Sequence, residues 1–295
     1  MPIPVPRMRR SGRLAALAGS FLLGLATAPW ARDAVNPDLP AGVAARIAGL
    51  MDGRSPVILG EIHGTAEVPA LVGAVLAERV AGGRPVTLAL EIPDSHQAAL
   101  DAWLDGGGEE FAATALAGHP FWSYEDGRSS VAMLDLLEQV RRWRRAGAAV
   151  GVLAFDVPDP AVGGADRERH MADRIEQALA GPEAPPMLVL TGNLHARRAI
   201  GHRFDPDLPL MAWHLRSHRS LTVNVRALAG SAWICTPQCG EQVLGSIPAP
   251  APETGLQLFQ SLSATGYDGE VVLERFTASP PAFPVARLGS LTSGN

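Results

Sequence analysis

Cysteine is scarce: the 295 residues include only Cys235 and Cys239, in the stretch WICTPQCG. That excludes covalent haem attachment through CxxCH and structural zinc held by paired CxxC knuckles. In an exported chain so close a pair reads as a disulfide closing a small loop, with metal ligation or two free thiols as the other readings. Tyrosine is equally rare, with Tyr124 and Tyr267 alone. Positive charge is in deficit, the net charge being −5, which leaves no electrostatic footprint for nucleic acid or another polyanion. The one basic cluster, RRWRR at Arg141–Arg145, reads as a solvated helix C-terminus before Gly147, where cations complement the helix dipole. Also missing are GxSxG, SxxK and HExxH, the signatures of common serine and zinc hydrolases.

The only apolar run that suggests a membrane lies at the start. Arg7, Arg9, Arg10 and Arg13 flank Leu14–Ala26, which is too short and too glycine-interrupted for a span but suits a signal-peptide core. Ala26-Thr27-Ala28 fits the small-x-small cleavage pattern. Residues 1–28 therefore read as a leader, and export to the periplasm or beyond is expected, with no stable transmembrane span after cleavage.

The remainder, 29–295, reads as one α/β domain. An apolar share of 47% is enough for a sizeable core. PVILGEIHG is strand-like, TAEVPALVGAVLAERVAGG is helix with Thr65 as N-cap, and PVTLALEIP is the next strand, a βαβ unit that argues for a mainly parallel sheet with helices on both faces. A helical insertion over about 94–147 follows the second strand; it includes EEFAATALAG, the loop GHPFWSYEDGRSS, and SSVAMLDLLEQVRRWRRAG with Val131, Leu134, Leu137 and Val140 on one face. An insertion of this size helps to roof a site. AVGVLAFDVP is strand, DRERHMADRIEQALAG helix and MLVLTGNLHA strand, while SLTVNVRALA, SAWICTP and EVVLERF read as shorter edge strands. The tail over about 279–295 reads as loosely held.

Four strands end in chemistry: Glu61 and His63, Glu91, Asp156, and His195. In a parallel sheet such ends collect at one edge. Asp156 taken alone is as well explained as an ordinary turn residue. Two carboxylates and two imidazoles brought together are costly without a metal, a substrate or a proton-transfer role. These donors suit Zn²⁺, Mn²⁺ or Fe²⁺, beside which a free Glu could deprotonate a bound water. A Glu-oriented His could instead activate water directly. Both routes end in hydrolysis of an amide, peptide or ester bond.

LGEIHGT and LTGNLHA together resemble the paired GxxH motifs of the Tiki superfamily, which includes ChaN-like haem-binding domains, TraB-like proteins, Tiki metalloproteases and, more distantly, erythromycin esterases. The GExH form of Gly60, Glu61 and His63 is most similar to the ChaN-like branch. RERHMADRI resembles that family's RDxxMAxxI helix through Arg167, Glu168, Met171, Ala172 and Ile175. The resemblance implies two activities. Tiki-type members are metal-dependent peptidases, which implies His63, His195 and Glu91 (or Glu61) as the metal and catalytic set. ChaN-type members bind haem outside the cytoplasm as a dimer that sandwiches it, which implies a homodimer and, in this chain, Tyr124 or Tyr267 as an anionic haem ligand, Tyr124 being the one in the candidate roof loop. No lipobox cysteine follows the leader, so outer-membrane anchoring is not implied.

Arg128, in a loop flanked by Phe121, Trp122 and Tyr124, is a candidate for binding a substrate or propionate carboxylate. His214 and His218 have helical metal-pair spacing but sit in MAWHLRSH, which alternates like a strand and would hold them apart. His96, His119, His170 and His202 read as solvated. The expectation is a metal-dependent hydrolase acting on a small molecule or peptide, with a haem carrier as the alternative and a non-catalytic domain that kept the fold as the third reading.

Overall fold

The computed structural model describes residues 39–106, 116, 118–159, 161–247 and 250–283. The leader, most of the helix expected over EEFAATALAG, and the tail from 284 onward lie outside the described residues. After α1 (Val43–Leu50) the chain alternates β1 (Val57–Glu61), α2 (Glu67–Ala81), β2 (Val86–Pro93), α3 (Gln97–Asp105), α4 (Val131–Arg145), β3 (Val150–Asp156), α5 (Gly164–Leu179) and β4 (Met187–Gly192). A small hairpin, β5 (Ile200–His202) and β6 (Asp205–Pro209), and a short α6 (Met211–His214) lead to β7 (Leu221–Cys235), β8 (Cys239–Leu244), β9 (Gly255–Leu258) and β10 (Gly269–Phe276).

The sheet order is β3-β2-β4-β1-β7-β10-β9, with β8 paired to the far half of β7. Every pairing among β3, β2, β4, β1, β7 and β10 is parallel; β9 and β8 are antiparallel additions. The alternation of each strand divides its apolar residues between two cores. Leu59, Leu88, Leu90 and Leu190 pack beneath α1–α4, whereas Ile58, Ala89 and Val189 pack against Met171 and Ile175 of α5 and Met211 of α6. A sheet buried on both faces explains why β1 and β4 read as unbroken apolar runs.

Several elements differ from the sequence expectation. SLTVNVRALA and SAWICTP form one 15-residue strand: Gly230 and Ser231 mark where pairing passes from β10 to β8 rather than a strand end. EVVLERF (β10) is interior, flanked by β7 and β9. MAWHLRSH is helical, because Met211, Ala212 and Leu215 are all drawn into the core against α5. On α4 the buried face runs through Met133, Leu136, Leu137 and Val140, leaving Val131 exposed. The basic cluster is only partly solvated, since Arg141 is buried against Trp103 and paired with Glu138 at 2.8 Å. Thr65 does not cap α2; its hydroxyl donates to the Ile62 carbonyl. Cys235 and Cys239 are joined in a disulfide at the β7–β8 turn. No helix among the described residues is long and apolar enough to cross a membrane.

Candidate functional site

Strands β3, β2, β4 and β1 lie side by side and parallel, so their carboxyl ends bring Asp156, Glu91, Gly192 and Glu61 to one edge. The two GxxH stretches interlock there. A side chain on Gly60 would put its Cβ 2.8 Å from the Ala196 Cβ and 3.1 Å from the Asn193 Cα, so glycine lets the second motif cross closely over the first. A Cβ on Gly192 would fall 2.9 Å from His63 Nε2 and 3.5 Å from His195 Cδ2. Each glycine thus makes room for the other motif, and both imidazoles face the same point. The Asn193 amide donates to the Glu61 carbonyl at 2.8 Å, closing the crossing.

His63 Nδ1 lies 2.9 Å from Glu61 Oε1, and its Nε2 lies 3.5 Å from Glu91 Oε2. Burial opposes protonation of His63, but the Glu91 and Glu61 carboxylates outweigh it and raise its pKa to about 8. Burial pushes the Glu61 pKa up, and the contact with His63 offsets this only in part. Burial also acts to raise Glu91, yet the surrounding His63, Arg167 and Arg128 hold its carboxyl well below the usual carboxylate range.

Glu91 has few free lone pairs. Its Oε2 accepts from the Thr191 hydroxyl and the Gly192 amide, both at 2.7 Å, and its Oε1 accepts from Arg167 Nη2 at 2.7 Å. Arg167, in the first turn of α5, also donates to both oxygens of Asp156 at 2.8 and 2.9 Å, and its Nη1 lies 3.2 Å from His195 Nε2. Arg128 donates to Asp156 Oδ2 at 2.8 Å and to Asp126 at 2.8 and 3.0 Å. Burial disfavours the charge on both guanidiniums, but the facing carboxylates outweigh it and raise their pKa values further. His195 Nδ1 is 2.7 Å from Glu168 Oε1, whose other oxygen accepts the Met211 amide at 2.6 Å.

The structure brings Glu61, His63, Glu91 and His195 together, and adds Tyr124 and Arg128 from the loop ahead of α4. All but Glu61 line one cavity of about 590 Å³, whose other walls include Asp156, Arg167, Glu168, Asp126 and, from the β5–β6 hairpin, His202 and Asp205. Arg167, Glu168 and Asp126 escaped the sequence reading as site residues. For the first two the only signal was the RERHMADRI resemblance; Asp126 left none. Tyr267 is removed from the site, its hydroxyl bonded to the Asn193 carbonyl. His96, expected to be solvated, is buried against His119 and Phe121. His214 and His218 contact Arg169 and Glu176 instead of each other.

Among the described residues, no group of three or more His, Cys, Asp or Glu is disposed to hold a metal ion. The donor chemistry explains this. Guanidinium N–H groups already occupy His195 Nε2 and Glu91 Oε1, and a divalent ion at His63, Glu91 and His195 would have to displace Arg167.

Neither a family model nor a curated protein sequence matches the chain. Among solved structures it aligns with an erythromycin esterase, EreC, in its open conformation: TM-score 0.59, 10% identity, 81% of this chain and 94% of that one. A succinoglycan biosynthesis protein aligns with a TM-score of 0.58 at 9% identity, over 80% of this chain and 91% of that one. A ChaN of Campylobacter jejuni, described with cofacially bound haem, gives 0.41 at 12% identity, over 78% and 91%. The chain has the α/β fold of the erythromycin esterase and the succinoglycan biosynthesis protein, the fold that the resemblance of its paired GxxH motifs implied.

Proposed function

We propose that this protein hydrolyses an ester, amide or peptide bond by activating water through His63, oriented by Glu61. The observation that carries the reading is the 2.9 Å contact between Glu61 and His63 at the edge of a cavity rich in ionisable side chains. With Nδ1–H directed to Glu61, the cavity-side nitrogen is Nε2, and neutral His63 has a lone pair there. Water gives its proton to Nε2 as its oxygen adds to the carbonyl carbon; the same proton then passes to the departing alkoxide or amine. Glu91, held ionised 3.5 Å from Nε2, stabilises the imidazolium between those events.

The donor set does not fit a divalent metal, so no step is routed through one. Ten of the eighteen residues lining the cavity are acidic, basic or histidine, which favours a polar substrate over a porphyrin, whose faces call for apolar walls. Tyr124 lines the cavity and would be the haem ligand in the alternative reading. Export through the expected leader would carry the proposed activity outside the cytoplasm, a compartment in which the disulfide would persist.

The experiment is a panel of p-nitrophenyl esters, anilides and peptides with wild type, His63→Ala and Glu61→Gln, beside a haemin titration. Turnover lost on His63→Ala supports the reading. A saturable Soret band that shifts with Tyr124→Phe, without turnover on the panel, overturns it.

A further inference from the structure

The two histidines of the site differ in hydrogen bonding, and that difference assigns them different work. Arginine can only donate, so the 3.2 Å contact between Arg167 Nη1 and His195 Nε2 requires Nε2 to accept. The proton of the imidazole then resides on Nδ1 and points at Glu168 Oε1, 2.7 Å away. Glu168 is itself fixed, being 3% exposed with its second oxygen on the Met211 amide. His195 is therefore held as the neutral Nδ1–H tautomer, with its one lone pair spent on a cation.

Arg167 shows where that lone pair is used. Its Nε and Nη2 hydrogens go to Asp156 and Glu91, and one Nη1 hydrogen goes to His195. The fifth N–H, the second on Nη1, has no protein acceptor among the described residues, and the side chain lines the cavity. Three partners from three strand ends thus fix the plane of a guanidinium that keeps one donor in reserve. A donor held without freedom to reorient is the arrangement that best stabilises charge developing on a carbonyl oxygen.

We propose that Arg167 is the catalytic group that polarises the scissile carbonyl, and that His195 is a positioning residue that holds it, acting as a hydrogen-bond acceptor and not as a base. The proposal rests on the hydrolase reading for the role of Arg167; the state of His195 is independent of it. His63 alone is then the base, and Glu168 acts by setting the His195 tautomer.

The test uses the full chain, p-nitrophenyl acetate and butyrate, and histidine labelled with ¹⁵N. Gln at position 195 can present an amide oxygen to Arg167 but cannot accept a proton as a base. His195→Gln should keep kcat within about fivefold of wild type and preserve the rise of rate toward pH 8, whereas His195→Ala should lose at least tenfold in kcat with KM little changed. Arg167→Lys, which keeps the charge but loses the fork, should lose about 10²-fold or more, the usual cost of an oxyanion donor. In wild type at pH 7.5 the His195 signals, identified by their absence in His195→Gln, should show a protonated Nδ1 and an unprotonated Nε2. A fall in His195→Gln as deep as in His195→Ala, or a protonated Nε2, overturns the positioning role. Arg167→Lys with unchanged kcat overturns the role of Arg167. If wild type cleaves no member of the wider panel, the hydrolase reading falls together with the polarising role of Arg167, and the nitrogen shifts alone judge His195.

Discussion

The amide of Trp233 donates to the carbonyl of Gly64 at 2.9 Å, so the strand that ends in the disulfide hairpin grips the residue that follows His63. The grip leaves no room for a side chain. Gly64 has φ of 71°, and a Cβ there would lie 2.1 Å from the Trp233 carbonyl oxygen. The same carbonyl of Gly64 also accepts the Ser279 amide at 2.8 Å. Gly64→Ala should therefore push the His63 loop away from β7. The left-handed backbone alone costs about 1–2 kcal/mol for a residue with a Cβ, and the clash adds to it. Thermal melting should show the loss of stability, and ester hydrolysis should fall more than tenfold; a variant with unchanged melting and turnover would remove this contact from the account of the site.

The raised pKa of His63 makes two pH predictions of opposite sign. Activity needs the neutral imidazole, so kcat/KM should climb about tenfold per pH unit up to about 8 and then level. Stability goes the other way. A folded-state pKa of about 8 against the ordinary 6.5 stabilises the fold fully below 6.5, and that contribution, roughly 2 kcal/mol, is lost as pH rises through 8. Glu61→Gln removes one of the two carboxylates that raise the value, so the activity limb should move to lower pH and the stability loss should shrink. A limb that stays in place would mean another group controls the rate.

The convergence of Glu61, His63, Glu91 and His195 was legible because each ends an apolar run, and parallel strands bring such ends to one edge. The helices on both faces followed from the same runs. What could not be read were pairings made across the fold. Arg167 sits on a helix surface in the sequence, and only the packing of α5 against β3 and β2 turns it toward Asp156 and Glu91. Asp156, ambiguous as a lone strand end, became a site residue through two arginines distant in sequence. His96 looked solvated for want of local apolar pattern, and its cover comes from His119 and Phe121 in the roof. SLTVNVRALA and SAWICTP read as two strands, whereas β7 is one strand that exchanges partners from β10 to β8 at Gly230, a long-range pairing with no local sequence signal.

Asp156 binds the cationic half of the site together. At 2% exposure it accepts from Arg128, from two nitrogens of Arg167, and from the Val157 amide. Asp156→Ala leaves two guanidiniums short of their shared acceptor, a change that typically costs about 3–5 kcal/mol when the charges are buried. Arg128 and Arg167 keep some contact with the cavity, so the low end of that range is expected in a urea melt. Asp156→Asn, which keeps one acceptor oxygen, should lose about half as much. If formate restores part of the turnover of Asp156→Ala and none of His63→Ala, the defect is the missing acceptor; equal rescue of both would sink that explanation.

Chelation separates direct water activation from the metal-dependent route that the resemblance implied. For an ion to bind His63, Glu91 and His195 it must take the Nε2 lone pair from Arg167 and place two positive charges beside two guanidiniums whose carboxylate partners among the described residues are already engaged. That arrangement opposes tight binding of Zn²⁺, Mn²⁺ or Fe²⁺ in wild type. Protein dialysed against a strong chelator should keep its full rate, and adding back any of the three ions should leave kcat unchanged. Arg167→Ala offers an internal contrast, since removing the guanidinium frees both donors. Calorimetric titration should show that variant binding Zn²⁺ at least tenfold more tightly than wild type. Loss of turnover on chelation of wild type, restored by one ion, would show that Arg167 yields its place and that the reaction runs through a metal.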